Sequence, residues 1–387
     1  MPAGPHSLFL TGKNDCHMKI IVRLFMLVLL AGCNASPKND PQTVTIKNLI
    51  LITTDGLRWQ EVFGGLDSNL TGNNRFNEGD SSYIMNKYGG ATAAERRQRL
   101  MPFLWSTIAR QGLLYGNRWL GSTVDNANPY WFSCPGYSEL LTGYADTAIN
   151  SNDYPPNPHV TVLEFFNQQK GWEGKVAAFG AWQAFDRIIN EERSGIPVAS
   201  ALDTFGGKQP TAAEQLLNRL HQDAYKPWHD HECFDVFTHY GAQEYLHTRQ
   251  PRLLYIAYGE TDEWAHAGRY RSYLDAAHQV DKWIGDIWNY VQSDPQYKDK
   301  TAIFITTDHG RGDSIKTQWT SHGSGIAGAS QIWFAVLAPG MTTTGEMKGG
   351  AALYQQQLAQ TMAGLLGYTY SARHPIAPGI TFINNKK

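Results

Sequence analysis

The sequence predicts an α/β fold: a three-layer, mostly parallel central sheet with helices on both faces, with possible cap insertions. Three observations predict it. Short apolar, β-branched runs alternate along the chain with stretches of helical spacing. Two such runs, Leu-Ile-Thr-Thr-Asp-Gly at Leu51–Gly56 and Phe-Ile-Thr-Thr-Asp-His-Gly at Phe304–Gly310, stop at an aspartate closely followed by glycine. A buried parallel strand reads this way when it delivers a carboxylate to the end of a sheet, where ligands of open α/β sheets bind. Finally, 387 residues with 42% hydrophobic and 18% charged content suffice for one large core.

The elements follow in order. Strands are expected at Asn48–Thr54, Leu113–Leu120, Lys175–Phe179, Leu253–Tyr258, Thr301–Thr306 and Ile332–Leu337, where apolar or β-branched residues run without helical spacing. Helices are expected at Leu100–Arg110, from Tyr137 to Leu141, and at Val160–Gln169, Ala212–Ala224, Phe234–His247, Tyr270–Val291 and Tyr354–Leu366, the last closed by Gly367. Gly64–Gly90 and Asp146–Pro158, rich in Gly, Asn, Asp or Pro, read as loops. The polar stretch between the helices at 212 and 234 reads as part of a cap over the site.

The N-terminus reads as a leader. Lys19 and Arg23 precede the apolar run Leu24–Leu30, which is too short to span a bilayer, and Leu30-Ala31-Gly32-Cys33 follows. That ending resembles the bacterial lipobox, in which the cysteine becomes lipid-modified. The expected organisation is an upstream extension at 1–17, with Met18 as the start, and a lipoprotein signal peptide at 18–32. A tether at 33–45 and a single catalytic domain at 46–387 follow. The mature chain is then an exported lipoprotein, periplasmic or at the cell surface, held to the membrane by lipid on Cys33. Cys134 and Cys233 remain, and an exported pair could form one disulfide. A net charge of −2 and a pI near 6.7 give no nucleic-acid footprint.

Three further motifs carry chemistry. Asp262-Glu263-Trp264-Ala265-His266 sets Asp and His four apart, on one face of a helical turn. Asp308-His309 follows the Thr301–Thr306 run, and Ser321-His322-Gly323 lies beyond it. With Asp55 these supply three carboxylates and three imidazoles, a donor set suited to zinc or manganese. Each motif alone is common, and an aspartate after a strand also serves as a cap. The ordered set is more specific. Ser133, in Ser133-Cys134-Pro135-Gly136, sits where Pro135 favours helix initiation. Unpaired backbone N–H groups and the helix dipole attract an anion there, so a phosphoryl oxygen could rest on the Cys134 N–H. Cys134 is the rival nucleophile, but no basic neighbour in sequence lowers its pKa.

This order and spacing resemble the alkaline phosphatase superfamily, and within it the nucleotide pyrophosphatase/phosphodiesterase branch. The resemblance runs from about Asn48 to Gly367. It implies two divalent metal ions, zinc first and manganese second. Asp55, Asp308, His309 and the nucleophile Ser133 hold one; Asp262, His266 and His322 hold the other. Ser133, Pro135 and Thr142-Gly143 keep the branch's spacing, whereas Gly136 replaces its usual Asn. Asn152 matches the Asn that hydrogen-bonds a non-bridging oxygen, with Asn150 as the alternate. The implied activity is hydrolysis of a small-molecule phosphate ester, diester or monoester, through a phosphoseryl intermediate. Arg58, Lys208, Arg193 and Arg271 are available as the additional cation a monoester requires. A sulfatase-like hydrolase and a phosphoglycerate mutase-like metalloenzyme are the alternatives. Formylglycine-forming motifs carry Arg where this chain has Tyr137, and a mutase suits an exported chain poorly. A catalytically dead binding protein of the same fold would need none of the ligand set.

Overall fold

In a computed structural model that describes residues 45–382, β1 (Asn48–Thr54) is buried at every position and lies inside the sheet. The leader, Cys33 and nearly all of the tether fall outside the described residues. The remaining strands are β2 (Leu113–Tyr115), β3 (Val124–Asp125), β4 (Val176–Gly180), β5 (Val198–Ser200) and β6 (Leu253–Tyr258). They continue as β7 (Thr301–Thr306), β8 (Phe334–Leu337), β9 (Gly345–Glu346) and β10 (Leu353–Tyr354). Eight of them form one sheet in the order β5-β4-β6-β1-β7-β8-β2-β9, and β3 pairs with β10 apart from it. Within the large sheet β8 alone runs against the rest, pairing antiparallel with both β7 and β2.

Alternation along the central strands builds the three layers. Ile50 and Ile52 of β1, Leu254 and Ile256 of β6, and Ile303 and Ile305 of β7 face one apolar core. Leu49 and Leu51, Leu253 and Tyr255, and Ala302 and Phe304 face the other. The helix Tyr270–Ser293 covers the first face, because Tyr273, Leu274, Ala277, Val280, Ile284, Ile287 and Val291 recur at helical spacing and are buried. The helices Ser133–Thr142 and Gln357–Leu365 cover the second through Tyr137, Leu140, Leu358 and Met362. Among the described residues no helix is long and apolar enough to cross a membrane.

Several expectations change. Gly64–Gly90 is not one loop: Ser68–Thr71 and Ser81–Tyr88 are helical, capped by the Asp67 and Asp80 side chains. The strand expected over Leu113–Leu120 stops at Tyr115, and Arg118–Leu120 forms a 3-10 turn. Leu100–Arg110 contains a π-helical segment at Leu104–Ile108. β8 begins at Phe334 rather than Ile332. Gly367 does close the last helix, at φ +81. Cys134 and Cys233 are free, buried thiols.

Candidate metal centre

Strand register explains why Asp55 and Asp308 meet. β1 and β7 are parallel neighbours in which Thr53 pairs with Thr306. Two residues further along each strand, the aspartates leave the sheet side by side. The Gly56 N–H donates to Asp308 Oδ1 at 3.1 Å, locking the two turns together. Gly56 has φ +58, and a Cβ there would lie 2.5 Å from Asp262 Oδ1, so glycine suits both the backbone and the space. The Asn126 and Gln355 amides donate to the Asp308 carbonyl, at 2.7 and 3.1 Å.

Donor atoms of Asp55, Asp308 and His309 converge within 4.8 Å, as do those of Asp262, His309 and His322. His309 is common to both groups. Its Nε2 lies 3.3 Å from Asp55 Oδ1, 3.4 Å from Asp308 Oδ2 and 3.9 Å from Asp262 Oδ1. Its Nδ1–H donates to the Gly310 carbonyl at 2.9 Å, which aims Nε2 at the acids. His266 lies outside the two converging groups but touches two of the three members of one, Asp262 and His322. Its Nε2 is 3.0 Å from Asp262 Oδ2 and 2.9 Å from His322 Nε2.

Three buried polar atoms at this edge have no hydrogen-bond partner among the described residues: Asp55 Oδ1, Asp308 Oδ2 and His322 Nδ1. Orphaned buried acceptors are costly. Asp55 Oδ1 and Asp308 Oδ2 both face His309 Nε2, and with the second converging group these oxygen and imidazole donors fit a binuclear divalent metal site. The charges agree. Burial first, then Asp308 and Asp262, push the Asp55 carboxyl up to about 7. Burial opposes a charged His309, but Asp308, Asp55 and Asp262 outweigh it and hold the imidazole at about 9. Asp262 goes the other way. Burial is outweighed by Arg311, His266 and His322, which keep its carboxyl well below the usual range.

Arg311 is the principal residue that sequence reasoning missed. It is buried, its Nη1 donates to Asp262 Oδ1, and its Nε and Nη2 donate to the Trp319 and Thr320 carbonyls at 2.8 and 2.7 Å. The four cations considered from sequence play no such part. Arg58 is bound to Glu61, Arg193 to Glu164, and Arg271 to Asp80; no ion pair involves Lys208 among the described residues. Tyr137 also gains a role, since its buried hydroxyl donates to Asp55 Oδ2 at 2.9 Å.

Ser133 is the first residue of its helix, which has no side-chain cap. It is 6% exposed, and its Oγ lies 3.4 Å from His309 Nε2. The serine therefore does not cap the helix. The Cys134 N–H, expected to receive a phosphoryl oxygen, instead donates to Asn152 Oδ1 at 3.0 Å. That anchors Asn152 beside Ser133, and among the described residues its NH2 group has no partner and no side-chain hydrogen bond involves Asn150. Burial pushes the Cys134 thiol up to about 12, so it is a poor nucleophile. A Cβ at Gly136 would lie 2.5 Å from the Asp308 carbonyl oxygen. Glycine at this place lets the Ser133 helix pack directly on the metal-ligand turn.

Solved structures share this architecture. A putative sulfatase from Bacteroides thetaiotaomicron aligns with TM-score 0.57 at 15% identity, over 88% of this chain and 76% of its own. The alkaline phosphatase PafA aligns with TM-score 0.55 at 10% identity, over 88% and 99%. A phosphonate monoester hydrolase of Agrobacterium radiobacter aligns with TM-score 0.50 at 13% identity, over 86% and 76%. At these identities the likeness is one of fold. No curated protein matches the chain in sequence. The sulfatase family profile matches residues 47–368, spanning every strand of the sheet and both metal-ligand groups. The chain therefore belongs to the sulfatase family, within the alkaline phosphatase-like superfamily of metal-dependent hydrolases.

Proposed function

We propose that this chain hydrolyses small phosphate esters, with Ser133 as the nucleophile. The observation that carries the reading is Ser133 Oγ, uncapped, buried and beside His309, where the two ligand groups meet. Asp55, Asp308, His309 and Ser133 would hold one divalent ion, and Asp262, His266 and His322 the other. Zinc is our first choice of metal, and such ions supply Lewis acidity and a lowered hydroxyl pKa.

The residues divide the remaining work. Ser133 gives up its hydroxyl proton to solvent as Oγ bonds to phosphorus, the alcohol departs with the electron pair of its P–O bond and takes a proton from water, and water then cleaves the phosphoserine and returns a proton to Oγ. Asn152, anchored through its carbonyl, offers its NH2 group to a non-bridging oxygen. Tyr137 keeps its proton, because burial pushes the phenol well above its ordinary value, and steadies Asp55 as a donor. Arg311 fixes Asp262.

A sulfate-ester reading stands against this one. The family profile and the neighbouring putative sulfatase favour it. Two observations favour phosphate. Tyr137, a neutral donor to Asp55, stands where formylglycine-forming motifs carry Arg. The two ligand groups also suit the binuclear clamp of phosphoryl transfer. Mass spectrometry of the Ser133 peptide, with matched phosphate monoester, phosphodiester and sulfate substrates, decides between them. An unmodified serine and phosphate-ester turnover are expected. Formylglycine with sulfate turnover would replace our reading. We also propose export and lipid attachment at Cys33, to be tested by metabolic labelling with a radioactive fatty acid. Labelling that persists in Cys33→Ser would refute it.

A further inference from the structure

The helix Ser133–Thr142 carries one carboxylate, Glu139, and it is fully buried. Among the described residues no lysine or arginine forms an ion pair with it; its oxygens accept N–H groups instead. Oε1 accepts from the Ala127 N–H at 2.8 Å and the Gln356 N–H at 3.0 Å. Oε2 accepts from the Asn128 N–H and the Asn128 side-chain NH2 group, both at 2.8 Å. Its neighbours Leu140 and Leu141 belong to the apolar core. A buried carboxylate is a costly way to hold a helix on such a core, where an apolar side chain of similar volume serves the fold as well or better.

The partners of Glu139 lead to both metal-ligand groups. Asn126, next to Ala127, donates to the Asp308 carbonyl and to Gln355 Oε1, both at 2.7 Å. Gln355, next to Gln356, donates through Nε2 to the Thr307 and Asp308 carbonyls, at 2.9 and 3.1 Å. The other route runs through Asn128. Its Oδ1 accepts the Tyr130 and Trp131 N–H groups at 3.0 and 3.1 Å. Trp131 is held at φ +54, a backbone region that bulky residues rarely occupy. The Trp131 carbonyl then accepts the Gly323 N–H at 2.9 Å, beside His322. One carboxylate thus joins the Ser133 helix, the Asp308 turn and the His322 loop. Hydrogen bonds to an ionised carboxylate are about twice as strong as neutral ones, which suits such a junction.

We propose that Glu139 is a positioning residue of the reaction. It acts through its neighbours and not on the substrate: it fixes Ser133 against Asp308 and His322 at once, so that Oγ meets the phosphorus in line. A displacement of about 1 Å at such a centre costs about 10²-fold in rate. This rests on the reading of Ser133 as the reacting group, and it adds what keeps that group in register with both ligand groups.

In Glu139→Gln the new amide keeps the size of the side chain but points a donor at N–H donors. With p-nitrophenyl phosphate and the zinc-loaded full chain, kcat is expected to fall about 10²-fold, while KM stays within about threefold and zinc content is kept. Orthovanadate, a five-coordinate analogue of the in-line transition state, should bind about tenfold more weakly by calorimetry, a reading that needs no turnover. Adding Asn128→Asp gives the new amide an acceptor and leaves one for Tyr130 and Trp131, so the double variant should recover at least about tenfold in kcat. Leu140→Ala is the packing control: a cavity in the same helix should lower denaturant stability with kcat within about threefold of the parent. Asn128→Ala severs only the route to the His322 loop and should lower kcat about tenfold, a test that stands even where Glu139→Gln does not fold. Parent-like kcat in Glu139→Gln or Asn128→Ala, an equal loss in Leu140→Ala, or no recovery in the double variant overturns the proposal and leaves the hydrolase reading standing. The same losses and recovery on a sulfate ester, with no phosphate-ester turnover, sink the phosphate reading alone.

Discussion

Asp55 and Asp308 stand at the ends of two hydrogen-bonded strands, whereas Asp262, His266 and His322 come from a short helix and a loop. Among the described residues the first pair forms no ion pair with arginine or lysine, and its one charged partner is the shared His309. Asp262, in contrast, is already balanced by buried Arg311, and the His266 side chain is 44% exposed. Both groups meet at one imidazole, yet only the strand-end group concentrates uncompensated buried charge. Such a group gains most from a bound metal ion, because protonated His309 and proton uptake by Asp55 are otherwise what offset the two carboxylates. The helix-and-loop group is braced by the Arg311–Asp262 ion pair and is expected to give up less when a ligand is removed.

Four experiments would break or sharpen that contrast. Ser133→Ala should lower turnover by about three orders of magnitude or more while metal content stays near the parent value. Near-parent activity would remove Ser133 from the mechanism. Next, Asp308→Asn should abolish stable metal loading at the strand-end group, while His266→Ala should weaken metal affinity by only about 10- to 100-fold. Metal analysis and calorimetry compare them directly, and equal losses would dissolve the distinction.

The third test uses protons. Asp55 titrates at about 7 and His309 at about 9 when no metal competes. Both must lose a proton to bind an ion, so affinity at the strand-end group should fall as pH is lowered from 9 through 7, with protons released on loading. Asp262, held well below its usual range by Arg311, is already deprotonated there and adds nothing to the slope. Calorimetry in buffers of different ionisation enthalpy counts the protons. Release that instead disappears in His266→Ala would assign it to the wrong group. The smallest effect concerns packing. Gly136→Ala places a methyl against the Asp308 carbonyl and should cost about 1–3 kcal/mol in denaturant stability, with reduced metal affinity. An unchanged protein would show that the Asp308 turn is looser than its hydrogen bonds imply.

The central strands were readable because parallel strands buried on both faces leave continuous apolar runs. β1, β6 and β7 fall on the expected residues. β5 and β9 escaped notice. Each has only two or three residues, too few for periodicity to register. The helix at Ser81–Tyr88 was hidden by flanking glycines and polar residues, although Asp80 caps it. Asp55, Asp308 and His309 were legible because strand ends announce themselves. Arg311 was not, since its partner Asp262 lies 49 positions away and nothing local marks it as buried. Tyr137 likewise reads as one more apolar residue of its helix until its hydroxyl is seen on Asp55, 82 positions distant.

The sequence by itself determined the sheet, the strand-end carboxylates and the serine at a helix start. These follow from period, burial and local chemistry that each segment carries within itself. Tertiary structure decided which groups share a charge environment. It set Arg311 on Asp262, left Asp55 and Asp308 without such a partner, and placed Asn152 rather than an anion on the Cys134 N–H. Electrostatic energy depends on distance and burial between residues remote in the chain, and only the folded arrangement supplies either.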